Sequence, residues 1–139
     1  MAFLFKADLV RYIDEVQINQ LTDSNDTIVN EAIGDAEERI NEMIGQRVDT
    51  ATEFAKVGAL RQRSLLKHAI NLTIFYLFER LYTDVLPEGR INGKEMAEAW
   101  LEDIAKGNIM VNLAKVNEAK ESGWPIRWGS QLKKGSQNY

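Results

Sequence analysis

The chain has 139 residues, 45% hydrophobic and 27% charged, with a formal net charge of −4. This suits one globular domain plus an extension, and rules out the low-hydrophobicity composition of a disordered chain. The absence of cysteine excludes a disulfide framework and a thiolate metal site.

The start, MAFLFKADLVRY, lacks the basic region, long apolar core and small-residue cleavage site of a signal peptide. A protein made in the cytosol is expected. Residues 5–20 read as one or two short helices, with Leu9, Tyr12 and Ile13 at i, i+3, i+4 and Val16, Ile18 and Leu21 closing on a core. The cluster Asp23-Ser24-Asn25-Asp26 holds residues that cap helix starts. It lacks the glycine and glutamate of a calcium loop. A helix is predicted from about Thr27 to Gly45, its inner face formed by Val29, Ile33, Ala36, Ile40, Met43 and Ile44. Gly34 interrupts it and suggests a close helix approach. Glu31, Asp35, Glu38 and Glu42 line one side and read as a solvated acidic face, with Arg39 able to pair with Asp35.

Residues 46–56 read as a connection in which Phe54 packs inward. A central helix then runs from near Val57 to Leu86, stopped by Pro87-Glu88-Gly89. Its middle, AINLTIFYLF at 69–78, is apolar almost all round, so neighbours must cover it on several sides. The run is too short to span a membrane, which needs roughly 20 apolar residues. Its second half reads as core. Its polar first turns, with Arg61, Arg63, Lys67 and His68, are the expected edge for contact with a neighbouring subunit. Asn92-Gly93 opens a last helix, carrying Met96, Ala97, Trp100, Leu101, Ile104 and Ala105 on one face and ending at Gly107.

The division expected is a helical domain at 1–107 and an extended C-terminal arm at 108–139. Charge divides the same way: residues 1–107 hold 12 Lys and Arg against 19 Asp and Glu, residues 108–139 hold 5 against 2. Ile109 to Val116 alternates weakly and can be extended. Beyond it, Trp124-Pro125-Ile126-Arg127-Trp128, followed by Lys133 and Lys134, combines the residue types most enriched at binding hot spots. It reads as an anchor for another surface; the alternative is that it folds back over its own domain.

Searching for chemistry yields little. His68 is the lone histidine, and no phosphate-loop, dinucleotide or nucleophile-elbow motif occurs. No enzyme, metal or cofactor is expected. An alternative function is a small nucleic-acid-binding regulator, in which Arg127, Lys133 and Lys134 pair with phosphates and Trp124 and Trp128 stack on bases. Its binding would weaken steeply with salt.

The order of features carries more than any single one. Asp8-Leu9 leads into Ile18-Asn19-Gln20-Leu21-Thr22-Asp23; then come Ala32-Ile33, Asp35-Ala36, Ile40 and Arg47. Ala69 and Tyr76-Leu77 follow on the long helix, and Trp100-Leu101 with Ile104 to Ile109 closes the set. Over roughly residues 5–110 this resembles the head-completion or head–tail connector (adaptor) proteins of tailed phages, in the Mu-like structural module. Two departures stand out: Val57-Gly58-Ala59 replaces a proline often found before the long helix, and the arm is longer than in compact members. The resemblance implies an all-α bundle around one long helix and a non-enzymatic virion protein. It implies a ring, typically dodecameric, below the portal at the head–tail junction, with portal and tail or stopper proteins as partners. Viral DNA would pass through the lumen without sequence-specific binding, and no membrane would be involved.

Overall fold

The computed structural model describes residues 3–81 and 86–116. Six α-helices fall among these: α1 (Lys6–Leu9), α2 (Glu15–Thr22), α3 (Asp26–Ile44), α4 (Thr50–Phe54), α5 (Arg63–Leu81) and α6 (Glu88–Lys106), with a single 3-10 turn at Gly58–Leu60. The protein is an all-α bundle, and its only pairing of extended backbone among the described residues is an isolated antiparallel bridge, Val48 to Lys115.

Helix α5 is the centre. It packs on both α3 and α6, which also touch each other, and α1 and α2 close over the remaining side. Leu65, Ile70, Leu72, Ile74, Leu77 and Phe78 are buried, and each such side chain contributes about 1.5–3 kcal/mol. Thr73 interrupts the apolar run without cost, because its hydroxyl donates to the Ala69 carbonyl at 2.8 Å.

The helix is shorter than its pattern suggests. It begins at Arg63, not Val57, and its 19 residues make it about 28 Å long. Gly58 sits at φ +61, which no helix tolerates and glycine allows. The turn it makes separates Val57 from the helix proper. At the first turn the Gln62 side chain accepts the Leu65 N–H at 2.7 Å.

Helix α3 matches its expected bounds within a residue. Asn25 is its N-cap, accepting the Thr27 N–H at 2.9 Å. Gly34 does not mark a close approach: a methyl there would meet nothing within 4 Å. Helix α6 starts earlier than Asn92, because Pro87, which follows the end of the central helix, is also its N-cap. Its fixed φ suits a helix start as well as a turn. Gly107 ends α6 in the left-handed conformation at φ 77, and the Arg47 guanidinium donates to the Ala105 carbonyl at 2.8 Å. A cation there satisfies an orphan carbonyl and complements the helix dipole.

Four apolar positions expected inside are exposed: Tyr12, Val16, Met96 and, at the end of α5, Leu81. From the N-terminal segment it is Phe3, Leu4, Leu9, Ile13, Ile18 and Leu21 that join the core. The connection at 46–56 contains α4, whose Phe54 meets Phe3 edge-on at 5.2 Å between ring centroids.

Residues 108–116 belong with the body. Leu113 is buried, the Asp49 N–H donates to the Ala114 carbonyl at 2.8 Å, and the Val116 N–H donates to the Arg47 carbonyl at 3.1 Å. The extended segment expected from its alternation is therefore a strap laid across the bundle.

Candidate assembly surfaces

The polar entrance to α5 holds the four residues expected to contact a neighbour, and the structure divides them. Arg61 is turned inward, with only 8% of its side chain exposed. Its guanidinium donates to Asp8 at 2.8 Å, the Phe3 carbonyl at 2.9 Å and the Gly58 carbonyl at 2.9 Å. His68 is likewise buried. Arg63 and Lys67 are exposed and form no ion pair among the described residues. Beside them Leu60 is 75% exposed. Of this edge, Arg63 and Lys67, with Leu60 beside them, are exposed, and the Arg61 and His68 side chains are buried.

The His68 imidazole lies against the Trp100 ring, 4.7 Å between centroids and tilted by 33°. Its Nδ1 has no hydrogen-bond partner. Burial, helped by the Lys67 charge, pushes its pKa down from 6.5 to about 4. The folded state thus favours the neutral ring. That preference is fully present above the unfolded pKa near 6.5 and is lost as pH falls through about 4. The protein is expected to lose up to about 3 kcal/mol from this group across that window. Urea unfolding of a His68→Leu variant at pH 7 and at pH 4.5 checks it: the variant should retain more of its neutral-pH stability than the parent.

The acidic face of α3 lies as expected, with Glu31, Asp35, Glu38 and Glu42 all exposed. Arg39 does not pair with Asp35. It bonds Glu98 of α6 at 3.1 Å and Glu42 at 3.5 Å, because the longer reach to α6 meets a half-buried carboxylate. Among the described residues no group of three or more His, Asp or Glu side chains is placed to hold a metal ion, and no helix is long and apolar enough to cross a membrane.

Between α3 and α5 runs a groove of about 460 Å³. Ile28, Ala32, Tyr76 and Leu77 line it, and Glu31, Asp35 and Glu79 stand at its rim with Arg80. Arg80 is engaged, donating to the Leu21 carbonyl at 3.1 Å. The three carboxylates have no ion-pair partner among the described residues. Burial first, and then Glu98, Glu79 and Asp35 against the opposing Arg39, push the Tyr76 hydroxyl above its usual range. The field in the groove is negative.

Two functional carboxylates escape a sequence reading. Asp8 is the inner partner of Arg61. Glu53 on α4 is 0% exposed; its Oε2 accepts the Ala114 N–H at 2.7 Å and the Lys56 ammonium at 2.9 Å, while Oε1 has no partner. It clamps the strap. Arg61 lies 53 residues from Asp8 and Ala114 lies 61 from Glu53, so no local signal exposes these pairings, although Lys56 is only three residues from Glu53. The arm residues singled out as partner-binding, Trp124, Pro125, Ile126, Arg127, Trp128, Lys133 and Lys134, lie outside the described residues.

A protein-family description, "Bacteriophage Mu, Gp36", matches residues 4–126. The match runs past Gly107 across the strap and takes in Trp124, Pro125 and Ile126 of the arm. No curated protein matches the chain. With most of its length covered, the chain belongs to the bacteriophage Mu Gp36 family.

Proposed function

We propose that this member of the bacteriophage Mu Gp36 family is a non-enzymatic virion protein at the head–tail junction. It acts as a connector protomer in a ring below the portal, and residues beyond Val116 make the contact with a partner subunit. The observation that carries this reading is the family match across residues 4–126. The structure adds support of a physical kind. The bundle spends its buried polar groups on holding itself together: Asp8 on Arg61, and Glu53 on the strap. His68, the one histidine, is packed neutral against Trp100 and is a poor general base in that setting. What remains at the surface is exposed apolar and charged side chains on a rigid body. Such side chains suit protein contacts, with aromatic and arginine anchors carried by the basic tail.

A body of acidic subunits also suits a channel for DNA, since a negative lumen repels the phosphates and lets the duplex slide. The test is truncation after Val116. Truncation after Gly107 would remove Leu113 and the hydrogen bonds to Glu53, and so would confound folding with docking. The shorter chain is expected to unfold at an unchanged denaturant midpoint and to be missing from portal-bearing heads in a complementation assay. Normal incorporation of the truncated protein overturns the role of the tail.

A further inference from the structure

The groove between α3 and α5 has an apolar floor, formed by Ile28, Ala32, Leu77 and the Tyr76 ring, and an acidic rim. Glu31, Asp35 and Glu79 at that rim have no ion-pair partner among the described residues. They outnumber Arg80, whose guanidinium already donates to the Leu21 carbonyl at 3.1 Å. An apolar channel under negative charge takes an occupant that is aromatic and cationic together. One stretch of this chain has that chemistry. Residues 122–139 contain no Asp or Glu, and they set Trp124, Ile126 and Trp128 around Arg127.

Tether length decides whose groove the segment enters. The Val116 N–H donates to the Arg47 carbonyl at 3.1 Å, so the described chain ends beside the exit of α3. Asp35 stands 12 residues before Arg47, roughly 18 Å at 1.5 Å per residue. The seven residues 117–123 cover up to about 25 Å. They bring Trp124 to the Asp35 end of the chain's own groove with length to spare. From Asp35 on to Ile28 is roughly 10 Å of helix, and residues 124–128 in extended form cover about 14 Å. A tether this short holds its segment at an effective concentration of roughly 1 mM. A second copy present at about 1 µM competes at a disadvantage on the order of a thousandfold.

We propose that the α3–α5 groove is an autoinhibitory seat for the Trp124–Trp128 segment of the same chain. Trp124 and Trp128 cover the apolar floor, and Arg127 meets the carboxylates of Asp35 and Glu31. In a free copy the aromatic anchor is thereby hidden on its own body, and a partner subunit gains it only by displacing it from the groove. This masking rests on the connector reading. The contact in the groove does not, and it is tested on the free protein, so the two fail separately.

The test uses the full chain with a photo-crosslinking amino acid in place of Ile126, in an equal mixture of isotopically light and heavy protein at about 1 µM, far below the effective concentration of the tether. Expected are crosslinks from position 126 to peptides covering residues 28–35 and 76–80, all light or all heavy, in a yield that does not change with dilution. Chymotryptic cleavage after Trp128, normalised to a free peptide of the same tail sequence, reports the undocked fraction. Asp35→Lys should speed it about tenfold, equivalent to about 1.4 kcal/mol, and Arg127→Glu should do the same. The double variant should be cleaved more slowly than either single one, a recovery that misfolding would not produce. Mixed light–heavy crosslinks, crosslinks to another face, or a double variant no slower than the single ones each overturn the proposal.

Discussion

Replacing Asp8 by alanine is expected to destabilise the protein by about 3–5 kcal/mol, the usual cost of removing one partner from a buried ion pair. The Asp8 and Arg61 side chains are 7% and 8% exposed, and their closest atoms are 2.8 Å apart. Asp8 Oδ2 also accepts the Phe5 N–H at 2.9 Å, and Arg61 also holds the Phe3 and Gly58 carbonyls. One carboxylate thus fixes the N-terminal segment to the turn that precedes α5. Alanine leaves a guanidinium buried with carbonyl partners only, and frees Phe3 and Leu4 from the core they fill. The pair as a whole contributes less than its rupture costs. The double variant Asp8→Leu, Arg61→Met should therefore lie well above the single Asp8→Ala in stability, because no charge is left stranded. Urea denaturation measures both. The expected signature is a lower midpoint at unchanged slope for the single variant, recovered in part by the double. By contrast, the Lys6–Asp26 contact, whose Asp26 side chain is 72% exposed, should contribute below about 1 kcal/mol and fade with salt. A loss below that size for Asp8→Ala would show that water reaches the pair.

How far the fold was legible follows the same division between local and distant causes. Helix α3 could be read to within a residue because its cap cluster and its apolar face are both local signals, and both agree. The middle of α5 was legible as the core because no other arrangement hides AINLTIFYLF. Its first turns were not. The apolar and polar residues from Val57 to Leu66 continue the pattern, and the positive φ of Gly58 together with extended backbone at Val57 and Arg61 breaks it. Pro87 misled for a related reason: its ring suits a helix start as well as a stop. The exposure of Val16 and Met96 could not be foreseen, since single apolar residues at the surface carry no pattern. At the surface, the acidic face of α3 was visible at once. The groove it borders was not, because Glu79 and Tyr76 come from another helix some forty residues on. Arg61 and His68 looked like surface residues on the helix pattern and proved to be buried. In each case the deciding neighbour, Asp8 or Trp100, is distant in sequence.

Glu53→Ala is expected to cost about 2–4 kcal/mol, the sum of a lost charge-assisted hydrogen bond and the desolvated donors left behind. It should also release the strap selectively. The Glu53 carboxylate is wholly buried, and its Oε2 alone receives the Ala114 N–H at 2.7 Å and the Lys56 ammonium at 2.9 Å. Around it, the two backbone bonds between residues 47–49 and 114–116, the Asn108 bonds to Asp103 at the strap's start and the Leu113 and Val111 side chains hold residues 108–116 to the bundle. An isolated two-stranded contact of that kind is marginal in water. Without the clamp the strap should open while α3, α5 and α6 stay packed. Hydrogen exchange resolves this from global unfolding. Protection at the Asp49 and Val116 amides should fall by far more than protection in the middle of α5, and proteolysis should become fast between Gly107 and Leu113. Glu53→Gln separates geometry from charge. Its carbonyl oxygen can still accept both the Ala114 N–H and the Lys56 ammonium, but without the carboxylate charge, so it should fall between the parent and alanine.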